Sequence, residues 1–194
     1  MNPDLAAFDV LRSAALGFAL AAAVGLRIFV PLLVVSVAAY AGHIELSGGL
    51  AWLGSPATLI VLAVATLLEI VAYKVPWLDN LLDAAGAPVA VLAGTLMMAS
   101  ALEGADPLLR WTMAAIAGGG TAGAVHGSLA VLRKLSSLTT GGLANPLISM
   151  AEGIGSLALS LVALLVPIAA LVAAALMVGL VVALIRRRQA RRPA

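Results

Sequence analysis

Apolar residues dominate this chain in long runs, broken at intervals by short polar or proline-bearing stretches. A membrane-crossing helix needs about 20 such residues. The first run extends from Ala14 to Ala41 and carries Gly25, Arg27 and Pro31. Pro31 donates no backbone hydrogen bond, so a kink or break is predicted near 25–31. Further spans are predicted over 57–73, over 84–102 with Pro88 near its start, and over 111–132. The last run, Leu147 to Ile185, would measure about 58 Å as one helix, nearly twice the hydrocarbon thickness. Pro167 lies near its middle, so two spans, 147–166 and 168–185, joined by a tight turn, are expected; one long kinked helix is the alternative.

The placement of charge favours an even count. With six spans and a cytoplasmic N-terminus, Arg12, Lys74, Arg133, Lys134 and the five arginines of 186–192 fall inside. Arg110 alone falls outside, and Arg27 lies within a span. Five spans would send the arginine tail outward, against the positive-inside rule. Next to an apolar span that tail reads as a stop-transfer signal on an anionic leaflet rather than a nucleic-acid contact. Asp4 and Asp9 give the wrong charge for a signal peptide, so no cleavage is expected.

The expected fold is thus all-α: a polytopic membrane helix bundle of about six spans, with a broken first helix. It forms one integral membrane domain, 1–194, in the inner membrane, with both termini cytoplasmic. Three spans per half would make any homology between 14–102 and 111–185 an inverted repeat. Loose echoes exist between Ala23–Arg27 and Thr121–His126, and between the prolines that open spans two and five.

Composition agrees. Of 194 residues, 63% are hydrophobic and 10% charged, with a mean hydropathy of +1.13; soluble domains carry about 25% charged residues. Cys is absent, which excludes disulfides, thiol redox chemistry and thiolate metal sites.

Against this background four ionisable residues stand out: Arg27, Glu69, His126 and Glu152. A charge at the bilayer centre costs from about 3 to over 10 kcal/mol, so such residues pair, face a polar cavity or carry function. Glu69 reads as a proton carrier, as an ion-pair partner of Arg27 that fixes packing, or as a shallow, solvated acid. Ser149, Glu152 and Ser156 share one helical face and, with Asn145, form a polar stripe. Asn145-Pro146 suits the start of a half-helix. Arg27 stays charged and is read as the counter-ion of a glutamate or as an anion site at the broken helix. His126 is a proton relay or a hydrogen-bonded interior histidine. Gly119, Gly123 and Gly127, at four-residue spacing, offer a face for close helix approach and possible self-association. Lys74, Asp79 and Asp83 mark the loop after span two. Two acids are few for a hard cation, so the metal question stays open and solvated charges are the plainer reading. No enzyme motif is present and no cofactor is called for.

The runs Gly25–Leu33, Leu68–Pro76 with Asp79, and Asn145-Pro146 with Ser149 and Glu152 resemble the bacterial membrane family called domain of unknown function 4126. That family often shows Asp-Lys where this chain has Tyr73-Lys74, and Glu-Asp where it has Glu152-Gly153; each departure removes an acid. The resemblance gives weight to these motifs and carries no substrate.

Two functions fit. One is a small secondary transporter or exchanger that moves a cation or small polar solute, proton-coupled through Glu69 and Glu152, with Arg27 and His126 beside them. The other is a non-transporting membrane factor that binds anionic lipid or a partner membrane protein.

Overall fold

The computed structural model describes residues 3–46, 48–72, 76–102 and 104–190, with side chains for 8–46, 50–72, 85–102 and 104–187. Among the described residues all regular structure is helical. Helix α1 runs Pro3–Leu26 and α2 runs Phe29–Tyr40. A 3₁₀ stretch, Gly48–Gly54, leads to α3 (Pro56–Ala72) and α4 (Pro76–Ala101). Helix α5 (Pro107–Met113) continues through a π-helical turn, Ala114–Gly119, into α6 (Gly120–Thr140). Helices α7 (Asn145–Leu165) and α8 (Pro167–Ala190) complete the chain.

Proline sets most of these starts. It is the first residue of α1, α3, α4, α5 and α8 and the second of α7, positions where its missing N–H loses nothing. Asp106 caps α5 by accepting from the amides of Leu108 and Leu109 at 3.0 and 3.2 Å. Gly141, at φ +62°, ends α6 in the left-handed conformation that glycine adopts without strain.

The break expected near 25–31 falls at Arg27–Ile28, between α1 and α2. The first apolar run is therefore two helices rather than one bent helix. Helix α1 starts well before Ala14 and is long enough to cross a bilayer by itself, whereas α2 is a 12-residue half-helix. The last run separates as expected: Val166 alone, at φ −140°, joins α7 to α8. Two boundaries differ from expectation. Helix α4 begins at Pro76, so Asp79 and Asp83 sit on a helix rather than in a loop. Helix α6 continues to Thr140, so Arg133 and Lys134 lie within it, not beyond its end.

Among the described residues four helical stretches are long and apolar enough to cross a membrane: Phe8–Leu26, Pro107–Thr140, Asn145–Leu165 and Pro167–Arg187. Three more apolar helices are shorter, Phe29–Tyr40, Pro56–Ala72 and Ala85–Ala101. Large apolar side chains such as Ile60, Leu67, Leu92, Ile154 and Leu176 are exposed on the outer surface, as a lipid solvent allows.

Helix α1 is the axis of the bundle and touches α4, α6, α7 and α8. Its alanines 15, 19, 21, 22 and 23 are fully buried and let four neighbours approach closely. The tightest seam joins α4 to the π turn. A Cβ on Gly94 would lie 2.7 Å from the carbonyl oxygen of Gly118. We expect Gly94→Ala to cost about 1–3 kcal/mol through overpacking, while Gly127→Ala, facing open space, should leave thermal unfolding in detergent unchanged. The glycine face of 119, 123 and 127 lies partly in this seam. Gly119 packs on Thr95 and Val91 of α4, and Gly123 on Val91. Two of the three glycines are thus covered within the chain.

Candidate functional site: a buried charge cluster at the broken helix

The site begins with the backbone at the break. The Arg27 amide still bonds the Ala23 carbonyl at 3.1 Å, closing α1. The next amides belong to the first turn of α2, where no carbonyl of the preceding turn is in reach. Glu69 of α3 supplies the acceptors. Its Oε1 accepts from the Ile28 amide at 2.9 Å and its Oε2 from the Phe29 amide at 3.1 Å. Pro31 has no amide to satisfy. The Glu69 carboxylate therefore caps α2 across 41 residues of sequence, at the end of the helix whose dipole favours an anion.

Arg27 turns to α7. Its Nη2 donates to the Ser149 carbonyl at 3.0 Å and to the Ser149 hydroxyl. Seven residues along α7, the Ser156 hydroxyl donates to the Ala23 carbonyl at 2.9 Å and reaches the Arg27 carbonyl at 3.5 Å. Between them Glu152 forms an ion pair with Arg133 of α6. The stripe Ser149–Glu152–Ser156 therefore faces the break and the bundle interior.

Arg27, Glu69, His126, Arg133 and Glu152 are each no more than 6% exposed. Arg27 and Arg133 both attract Glu69 electrostatically. Two cations and two anions thus share one buried region, and their formal charges cancel. Burial of this kind is tolerable only with close pairing and hydrogen bonds to the remaining polar atoms. His126 is on the same face of α6 as Arg133, two turns earlier. Its ring backs onto Gly86 of α4, where a Cβ would lie 3.0 Å from Cε1 and Nε2. Glycine at 86 is what leaves room for the imidazole.

Arg27 attracts Glu69, and Arg133, which was expected at the cytoplasmic surface, lies buried with Glu152 as an ion pair. The seven-residue interval from His126 to Arg133, which puts both on one helical face, is the signal that could have found it. The cavities lined by Glu69 and by Arg27 are different ones. A cavity of about 380 Å³ between α3 and α4 is lined by Glu69 together with Ile28, Phe29, Leu68, Gly86 and Val89. A second, of about 560 Å³, lies between α2, α3 and α7 and is lined by Arg27, Thr66, Ser149 and apolar side chains. Glu152 lines neither. Asn145 stands apart as well, donating to the Ser137 hydroxyl at 2.9 Å at the α6–α7 turn. Lys74 lies outside the described residues, and the side chains of Asp79 and Asp83 are outside the described ones. Among the described residues no three acids or histidines gather as a metal site.

An all-helical bundle with membrane-crossing helices, and an ionic cluster closed around a helix break, defines the class: a membrane-type helical protein with a charged interior. The chain belongs to the family described as "Domain of unknown function (DUF4126)", which it matches over residues 14–187. No curated protein and no solved structure matches it.

Proposed function

We propose that the protein is a small secondary transporter or exchanger of the bacterial inner membrane. It moves a cation or small polar solute with proton coupling through its intramembrane glutamates, chiefly Glu69. One observation carries this reading. The helix is broken at Arg27, and its second half starts on an acid that also lines a cavity. Discontinuous helices whose ends face charged groups are the usual construction of transporter binding sites. Glu69 is suited to coupling because a proton on it would weaken the bonds that hold the α2 terminus. Glu152 with Arg133 supplies the fixed framework, Arg27 and Ser149 tie α7 to the break, and His126 borders the Glu69 side through Gly86.

In this reading α1 with α2 makes one broken crossing, followed by α3, α4, α5–α6, α7 and α8. Six crossings keep both termini cytoplasmic and oppose the two halves as inverted repeats. The chain has no Cys, so single cysteines placed at His43, Ala105 and Leu143 would report topology cleanly. His43 and Ala105 should label from outside and Leu143 from inside.

For the activity itself, protein reconstituted in liposomes should show solute-dependent proton flux, abolished by Glu69→Gln. Undiminished flux in that variant would remove Glu69 from the mechanism. The 560 Å³ cavity favours a second reading, a factor that binds an anionic lipid through Arg27. Co-purified anionic lipid lost in Arg27→Met, with no flux in the native protein, would support that reading instead.

A further inference from the structure

The cavity beside Glu69 has a chemistry of its own. Among the described residues its lining is apolar except for one carboxylate: Ile28, Leu68, Val89 and small residues form most of the wall, and Phe29 adds an aromatic side chain. Both Glu69 oxygens already accept an amide, and each retains a lone pair for a second partner. A hard metal ion needs six or more oxygens or its own water, and this wall offers neither. An anion would meet the carboxylate. A neutral apolar guest would leave the remaining lone pairs dry. The guest that satisfies both the wall and the acid carries a single positive charge on an apolar body.

We infer that this cavity binds a monovalent organic cation, an amine or quaternary ammonium with an apolar substituent, in exchange for a proton on Glu69. The inference names the substrate class of the exchange reading and rests on it. Charge supports the swap. Arg27, Arg133, Glu69 and Glu152 sum to zero, so a proton on Glu69 and a cation beside it each add one charge to the same cluster. Among the described residues, the charged groups acting on Glu69 are Arg27 at the break and Arg133 on α6, with His126 behind Gly86. Weakly hydrated ammonium groups are also those that aromatic rings recognise. A cavity of about 380 Å³ falls within the range of small-molecule sites.

The test is binding to the full-length protein in detergent, by calorimetry with empty micelles subtracted. The probes are benzyltrimethylammonium and its uncharged isostere neopentylbenzene. The cation should bind saturably, more tightly at pH 8 than at pH 5, and the isostere should not. Glu69→Gln should weaken the cation by about tenfold or more, the loss of one charged contact. Val89→Trp, which fills the cavity and touches none of the bonds to Glu69, should remove binding while the protein stays folded; if Glu69→Gln fails to fold, this variant decides. Equal binding of both probes, or undiminished binding by Val89→Trp, overturns the inference. Cation binding without proton flux in liposomes keeps the site and removes the transport reading. Proton flux driven by another solute, with no ammonium bound, does the reverse.

Discussion

Replacing Arg133 by Met should destabilise the protein by about 3–5 kcal/mol, the usual result of stranding one member of a buried ion pair. Both side chains of the Arg133–Glu152 pair are 3% exposed, so neither charge can turn to solvent when its partner is lost. Much of the penalty is the desolvated carboxylate left behind rather than the attraction removed. The double variant Arg133→Met/Glu152→Met should therefore recover most of the loss, because one cation and one anion leave together and the remaining cluster stays neutral. Thermal unfolding in detergent reads all three proteins. A single variant as stable as the native protein would mean that water reaches Glu152, and the interior would then be wetter than its burial implies.

The same residue shows where sequence reasoning stops. Helices and the break were legible because they follow from local rules: apolar runs of membrane length, prolines at starts, and Gly25, Arg27 and Pro31 crowded into seven positions. Arg133 was not legible because the run after it, Leu135-Ser136-Ser137-Leu138-Thr139-Thr140, is too polar to read as a span. The helix absorbs it locally. Thr139 donates to the Leu135 carbonyl at 2.9 Å and Thr140 to the Ser136 carbonyl at 2.8 Å, so hydroxyls bond the preceding turn and α6 continues. Once α6 extends to Thr140, Arg133 lies seven residues inside its end and meets α7. The start of α4 was hidden similarly, since Asp79 and Asp83 resemble a solvated loop yet occupy a helix begun by Pro76. The cap of α2 was out of reach for another reason. Glu69 and Ile28 are 41 residues apart, and no periodicity pairs an acid with backbone amides over that distance. Sequence identified Glu69 as costly to bury; only the fold shows that it holds a helix end.

That capping role makes a graded prediction at Glu69. Glu69→Ala removes the acceptors of the Ile28 and Phe29 amides together. An unsatisfied buried donor costs about 1–3 kcal/mol, so the pair should cost about 2–6 kcal/mol. Glu69→Gln keeps one carbonyl oxygen but turns an amide group toward the second donor and loses the favourable charge at the α2 terminus. Its loss should be smaller, about 1–3 kcal/mol. The expected order of thermal stability in detergent is native, then Gln, then Ala. Hydrogen exchange should show the change concentrated at Ile28 and Phe29 and the following turn of α2, with α8, which packs on α1, α6 and α7, unaffected. Uniform loss of protection across the bundle would mean that Glu69 supports the whole core and not this helix end. A local effect has a mechanistic consequence for the transport reading. The protonated acid, like Gln, offers one good acceptor where the carboxylate offers two, so proton uptake would loosen α2 from α3 at the junction that borders both cavities. A proton could then change access to them without unpairing Arg133 and Glu152.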